Sequence, residues 1–151
     1  MSPRAAWRLE QLGFSQVYDF VHGKSFWLAH GLPTEGAGAD HPRAAFAIDR
    51  DVPICVLGDT IATARTRMMK QPGWDRCIVT NHSGIVAGLL RSAHLDHSPD
   101  TIVDDVMEPG PTTIRPDTNL LQITDRLRRR NLHSVVVTDP GGRLLGMLRR
   151  D

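Results

Sequence analysis

The chain has 151 residues, of which 40% are hydrophobic and 23% charged, and its 18 basic and 17 acidic side chains leave a formal net charge of +1. This composition is typical of a globular protein, and the balanced charge gives no overall field that would attract nucleic acid or an anionic membrane. The spacing of Cys55 and Cys77 suits neither a zinc site nor a redox pair, and no apolar run reaches the length of a membrane span, so we expect a cytoplasmic protein with buried, reduced thiols.

Residues 1–36 predict a helix, a short strand and a second helix. Ser2 is a favoured N-cap residue, the proline after it is favoured in a first helical turn, and an apolar stripe continues through residues 3–12. Residues 16–20 alternate polar and apolar side chains as a strand does, and residues 23–30 carry their apolar side chains in a helical context. We therefore expect a helix-strand-helix appendage ahead of the rest of the chain.

From residue 51 the chain repeats itself at one constant spacing, without a gap. The identical positions are Pro53 and Pro111, Asp59-Thr60 and Asp117-Thr118, Thr66 and Thr124, Thr80 and Thr138, Gly84 and Gly142, Gly88 and Gly146, and Leu90-Arg91 and Leu148-Arg149. Self-similarity at a fixed period indicates one supersecondary unit built twice. We expect a flexible linker at residues 37–50, one unit at residues 51–98, a second at residues 99–151, and a cleft where the units meet.

Each unit is predicted to contain a strand, a helix and two strands around a tight turn. In the first unit these elements are residues 52–56, 59–70, 77–80 and 85–90, with the turn at 81–84. In the second unit they are residues 112–114, a helix that opens near Asp117, and strands at 135–137 and 144–148, with the turn at 139–142. A short capped helix is expected between the units, at residues 101–107.

The two predicted helices differ in their apolar faces when they are aligned without a gap. The aligned pairs are Leu120 with Ala62, Ile123 with Arg65, and Leu127 with Met69. This alignment predicts a thinner hydrophobic face in the first unit, as would suit a module whose two clefts differ.

Each copy ends in a strand that contains a glycine followed by apolar residues. This doubled unit resembles the CBS domain pair, also called a Bateman module. The likeness is carried mainly by the second copy, at residues 106–109, 113–117, 135–139 and 142–146, and it extends over residues 51–151. It implies an α+β fold in which two pseudo-symmetric CBS units, with short linking helices, pack sheet to sheet.

The resemblance also implies a non-enzymatic regulatory module that forms a homodimer and binds AMP, ATP, S-adenosylmethionine, an NAD-type ligand or another phosphorylated metabolite in the cleft. The family's nucleotide motif places Ser or Thr three residues after the strand glycine and Asp or Asn six residues after it. From Gly88 these positions are Arg91 and His94, and from Gly146 the first is Arg149, so neither copy keeps the motif. Arginine at both positions predicts contact with phosphate or carboxylate, and a solvated strand end is the alternative.

Other cleft residues follow from the family resemblance alone. The first strands would line the cleft at Ile54, Thr112, Thr113 and Ile114, and apolar contact to a flat base would come from Ile78 and Val136. A ligand-free scaffold, in which the pair only dimerises, is the alternative function.

Three further features have simpler explanations. Residues 1–36 resemble the last part of a rhodanese domain, but no cysteine lies in this segment, so the resemblance implies a structural appendage and not a sulfurtransferase. His94, Asp96 and His97 are typical of an exposed loop, and no metal site is predicted. The arginines at 126 and 128–130 crowd the end of a helix, where cations interact favourably with its dipole, and a basic patch is the alternative.

Overall fold

Two β-sheets pack against each other in the protein, whose computed structural model describes residues 3–37 and 39–150. The strands are β1 (Ile54–Val56), β2 (Arg76–Thr80), β3 (Val86–Arg91), β4 (Glu108–Pro109), β5 (Thr113–Ile114), β6 (Ser134–Thr138) and β7 (Leu144–Arg149). The helices are α1 (Pro3–Gln11), α2 (Gly23–Ala29), α3 (Ile61–Lys70), α4 (Val103–Val106) and α5 (Leu120–Arg129), and 3₁₀ helices lie at Ala44–Ala47 and Ser92–Asp96. The mixed α+β fold expected from the sequence is confirmed. The predicted N-cap Ser2, residue 38 of the predicted linker and the last residue, Asp151, lie outside the described residues.

Each unit places one helix against a small sheet. One sheet has the strand order β1-β2-β3-β4 and the other β5-β6-β7. β1 is parallel to β2 and β5 to β6, whereas β3 and β7 are antiparallel to their neighbours. Both helices begin at a polar N-cap, where Thr60 Oγ1 accepts a hydrogen bond from the Thr63 backbone and Asn119 Oδ1 accepts one from the Leu121 backbone. These side chains satisfy amide groups that the first helical turn leaves unpaired.

The spacing of the repeat changes within each unit. β2 and β3 correspond to β6 and β7 at the spacing of the gapless sequence alignment. Ile78 and Val136 are equivalent at this spacing, and they pair with Ile54 and Thr113 respectively. The sequence spacing between the first strands of the two units, β1 and β5, is therefore one residue larger. The spacing between α3 and α5, and between their N-caps, is larger by the same one residue. The original spacing returns after these helices, because the loop from α3 to β2 is one residue longer than the loop from α5 to β6.

This one-residue shift changes which helix positions are equivalent. The equivalent pairs are Leu120 with Ile61, Ile123 with Ala64, and Leu127 with Met68. Ile61 and Ala64 are fully buried, so the first helix has an apolar face of its own. The prediction of a thinner face made of Ala62, Arg65 and Met69 is therefore wrong, and Met69 is 79% exposed. A gapless sequence alignment cannot detect this shift, because it affects only the first strand and the helix of each unit and is cancelled in the loop that follows the helix.

The segment that precedes the first strand of each repeat packs on the other half of the molecule. Residues 43–49 form backbone bridges to Asn119 and Met147 of the second unit. In the first unit, Thr60 forms a bridge to Ile102, and β3 pairs with β4. The two segments are related by the same shifted spacing as the helices, so part of the predicted linker at 37–50 belongs to the repeated architecture.

The units meet through a shared apolar layer and a pair of cross-linked turns. The buried members of this layer are Val52, Trp74, Ile78, Leu89, Val136 and Met147. Above it the Val86 backbone donates to Gly142 O at 3.0 Å, and the Leu144 backbone donates to Gly84 O at 2.9 Å. These two bonds are related by the repeat, so an approximate two-fold axis passes between the turns.

The N-terminal segment contributes two helices but no strand. Residues 16–20 belong to neither sheet, so the strand predicted there is wrong: alternation marks a strand only where a neighbouring strand offers its backbone. α2 buries Leu28 and Ala29, and Ser25 Oγ donates to Asp117 Oδ1 of the second unit at 3.0 Å. α1 buries none of its side chains. No helix among the described residues is long and apolar enough to cross a membrane.

Candidate functional site

A cavity of about 280 Å³ opens between α5, the strands of the second unit and the end of β3. Its apolar wall is formed by residues of both units, among them Leu89, Ile114, Leu132, Val136 and Met147. Residues 108–112, which lead from β4 into β5, close one side. Because the wall draws on both units, the shape of the cavity depends on how the two units are placed relative to each other.

A buried hydroxyl in this cavity finds no partner among the described residues. Ser134 lines the cavity at the start of β6 and is 5% exposed, and its Oγ makes no hydrogen bond within that part of the chain. A buried hydroxyl without a hydrogen bond costs about 1–3 kcal/mol relative to a satisfied one. Such an atom beside the apolar wall of the cavity is suited to orient a bound molecule.

The rim of the cavity carries two arginines at the end of α5. Arg126 and Arg130 lie one turn apart, and neither makes a side-chain hydrogen bond or ion pair within residues 3–37 and 39–150. Free guanidinium groups on one side of a largely apolar cavity favour a ligand with one anionic end.

The other two arginines that line the cavity are held by carboxylates. Arg76 is 7% exposed and binds Asp75 through two nitrogens, at 2.8 and 2.9 Å. Arg91 binds Glu108 through two nitrogens, at 2.7 and 3.1 Å. These hydrogen bonds hold the pKa of Asp75 and of Glu108 below the ordinary value of a carboxyl group. Both pairs therefore stay ionised around neutral pH and fix the walls of the cavity.

Comparison with known proteins identifies the architecture. The CBS domain family model matches residues 103–151. The CBS domains of a transcriptional regulator from Streptococcus pneumoniae superpose with a TM-score of 0.61 at 24% identity, covering 67% of this chain and 84% of that chain. A CBS domain pair/ACT domain protein from Thermotoga maritima gives a TM-score of 0.61 at 19% identity, covering 71% and 88%. The fold is that of a CBS domain pair.

A third solved structure is similar over only part of its length. The cytosolic domain of the Mg²⁺ channel MgtE in complex with ATP has a TM-score of 0.66 at 19% identity and covers 74% of this chain. The chain spans about half of that domain, 48% of its length. No curated protein matches the chain.

Four of the nine ligand residues predicted from the sequence line the cavity. They are Arg91, Thr112, Ile114 and Val136. Arg91 reaches the cavity, but its guanidinium is occupied by Glu108. The predicted anion contact at Arg91 would therefore require that pair to open or to share its donors.

The other five predicted residues lie outside the cavity. They are Ile54, Ile78, His94, Thr113 and Arg149. Ile78 is fully buried between the sheets, and His94 Nδ1 accepts a hydrogen bond from the Arg91 backbone at 3.0 Å. Arg149 lies across the molecule, where its guanidinium carbon is 4.3 Å from the centre of the Trp74 ring. The roles assigned to these residues stay predictions.

Sequence reasoning did not select Ser134, Arg126 and Arg130 as site residues. The arginines were explained by the helix dipole, although their spacing of four residues beside the buried Ile123 and Leu127 places them together on one side of the helix. Ser134 had no sequence signal of its own, since its missing partner is visible only in three dimensions.

The two cysteines belong to the core of the first unit and not to this cavity. Both are fully buried, and Cys77 Sγ donates to Cys55 Sγ at 3.3 Å. This hydrogen bond and burial raise the pKa of the Cys77 thiol. The prediction that the cysteines are buried is confirmed.

Proposed function

We propose that the chain is a regulatory module that binds an adenosyl mononucleotide, or a phosphorylated metabolite of similar size, in the cavity beside α5. The observation that carries the proposal is the unpartnered Ser134 hydroxyl inside a cavity that has an apolar wall and the free Arg126 and Arg130 at its rim. The ATP complex of the MgtE cytosolic domain, a protein of similar fold, supports a nucleotide as the ligand class.

The residues that line the cavity suggest which part of the ligand would contact the apolar wall and which part the charged rim. A flat base would lie against Ile114 and Val136, where Ser134 Oγ offers both a donor and an acceptor. The phosphate would lie at the rim, within reach of Arg126 and Arg130. The volume of about 280 Å³ is just below the range of about 300–1,000 Å³ for small-molecule sites, which favours a mononucleotide over a dinucleotide.

The regulatory action follows from the shared wall. Leu89 belongs to the first unit and Val136 to the second, and both line the cavity. A ligand that contacts both units binds best to one relative placement of them and shifts the population toward it. A homodimer would transmit this shift to a partner protein. Dimerisation and a non-enzymatic role remain part of the proposal, as does the rhodanese-like origin of residues 1–36.

The first experiment measures thermal stability with and without millimolar AMP, ATP, S-adenosylmethionine and NADH. A ligand at 100 times its dissociation constant stabilises by about 2.7 kcal/mol, which raises the melting temperature of a chain of this size by roughly 5–10 °C. No shift with any of the four compounds would contradict the proposal and favour the ligand-free scaffold.

The second experiment assigns the binding to this cavity. Ser134→Ala removes a buried hydroxyl that has no partner, so we expect the unfolding stability without ligand to rise, by up to about 1–3 kcal/mol, while nucleotide binding by calorimetry weakens roughly 3–10-fold. Arg126→Gln should weaken AMP about tenfold while leaving adenosine unaffected. Arg128→Gln is the matched control, because Arg128 is an exposed residue of the same turn and does not line the cavity. Equal effects of the two arginine substitutions would place the ligand elsewhere.

A further inference from the structure

The repeat requires a second cleft, related to the cavity by the approximate two-fold axis, and a tryptophan stands in it. Leu132 lies two residues before β6 at the wall of the cavity, and Trp74 lies two residues before β2. The equivalent wall positions of the second cleft include Arg149 for Arg91 and Asp49 for Glu108. The wall position that holds a leucine in the cavity therefore holds the much larger tryptophan in the second cleft.

The Trp74 ring is held on both its edge and its face. It is 9% exposed and packs in the apolar layer between the sheets. Its Nε1–H donates to Asp51 O at 3.2 Å, and the Arg149 guanidinium lies over the ring at 4.3 Å from the centroid. Arg149 is itself anchored, because it donates to Gly73 O at 2.9 Å and lies 3.7 Å from Asp49 Oδ2. The indole thus fills the second cleft with an aromatic plane and a cation above it.

Among the described residues, the two unpaired arginines at the rim of the cavity also have no unpaired arginine at the equivalent positions of the second cleft. When α3 is aligned with α5 from their N-caps, Arg67 corresponds to Arg126 and Gln71 to Arg130. Arg67 turns inward, where it donates to Ile54 O and pairs with Asp59 at 3.2 Å. Gln71 is uncharged and donates to Asp51. A surface groove remains beside Asp51, whose backbone oxygen accepts the Trp74 hydrogen bond, and it is lined by Asp51, Val52, Ile54, Arg67, Lys70 and Gln71.

We propose that Trp74 is the residue that closes the second cleft, so that this CBS pair takes a single ligand per chain, at the cavity beside Leu132. Aromatic burial, a satisfied indole N–H and a stacked guanidinium all stabilise the closed arrangement. The identity of the ligand rests on the proposed function, whereas the closure of the cleft by Trp74 does not.

The test exchanges the two residues. Native mass spectrometry of the full chain with AMP should show one AMP per chain for the wild type. Leu132→Trp places an indole in the cavity and should weaken AMP binding at least 100-fold. Two AMP molecules per wild-type chain, or unchanged binding by Leu132→Trp, would overturn the inference while leaving nucleotide binding established.

A ligand-independent measurement separates this inference from the proposed function. The crystal structure of Trp74→Leu should contain a second cavity at the Trp74 position, bounded by Asp51, Met147 and Arg149. If neighbouring side chains close that space, Trp74 is not what closes the cleft and the inference fails. If the wild type binds no nucleotide but Trp74→Leu opens the cavity, the proposed function fails and the closure stands. If Trp74→Leu does not fold, the structure of Leu132→Trp decides: a cavity still open beside the new indole would refute the equivalence of the two positions.

Discussion

Two glycines at equivalent places in the repeat should respond differently to the same substitution. Gly88 in β3 and Gly146 in β7 each allow the segment that crosses from the other half of the chain to approach the strand closely. A Cβ at Gly88 would lie 2.3 Å from Met107 Sδ, whereas a Cβ at Gly146 would lie 2.2 Å from the backbone oxygen of Asp49. The thioether of a methionine can rotate away, but a backbone carbonyl that is paired in a bridge cannot.

The backbone conformation adds to this difference. Gly146 has φ +140°, which side-chain-bearing residues rarely adopt, whereas Gly88 has no positive φ. The strain costs about 1–3 kcal/mol, and the clash with fixed backbone costs about 1–3 kcal/mol more. Alanine also restricts the unfolded chain, which favours both variants by about 0.4–1 kcal/mol and cancels in the comparison. Because only Gly146 combines strain with a fixed clash, we expect Gly146→Ala to be less stable than Gly88→Ala by about 2 kcal/mol or more.

Urea unfolding followed by far-ultraviolet circular dichroism measures this difference. With a slope of about 1–3 kcal/mol/M, the midpoint of Gly146→Ala should lie roughly 1 M below that of Gly88→Ala. Gly84→Ala is the control for strain alone, because Gly84 has φ +77° and no atom within 4 Å of the added Cβ. Equal midpoints for the Gly88 and Gly146 variants would refute the reasoning, as would a Gly84 variant as unstable as the Gly146 variant.

Three further outcomes are expected from the same structure. Leu127→Ala removes a core side chain that is 3% exposed and should cost about 2–5 kcal/mol in urea unfolding. Asp75→Asn should flatten the acid limb of the stability profile: Arg76 lowers the pKa of folded Asp75, so the stability from this pair is present above the unfolded pKa of about 3.9 and is lost as the pH falls through the lower folded value. Cys55 and Cys77 should resist iodoacetamide at neutral pH in the folded protein and react once it is unfolded.

Each of these three has a contradicting result. Leu121→Ala changes a residue of the same helix that is 67% exposed, and a loss equal to that of Leu127→Ala would contradict the assigned helix face. If wild type and Asp75→Asn lose stability in parallel below about pH 4, the Asp75–Arg76 pair does not produce the acid sensitivity. Rapid labelling of the folded protein would contradict the burial of the thiols and would revive a sulfur-handling role.

The extent to which the fold was predictable depends on how locally each element is specified. The strand pairs β2–β3 and β6–β7 were predicted to within one or two residues, because apolar runs around a glycine turn determine a hairpin from neighbouring residues alone. The strand at residues 16–20 was wrong, because its pattern needed a partner that the rest of the chain does not supply. In the same way, the one-residue shift of the helices depends on loops whose lengths differ by one.

By itself the sequence determined the duplication and the α+β class, since these rest on repeated residues and on local periodicity and turn residues, and its motif segments supplied the resemblance to a CBS pair. The tertiary structure alone decided which residues meet at the cavity. Arg91 is neutralised by Glu108, which is far away in sequence, while Ser134 and Arg126 are left without partners among the described residues. Whether a charged group or a hydroxyl is available to a ligand depends on the residues that the fold places beside it. A local sequence pattern does not contain this information, because those neighbours come from other parts of the chain.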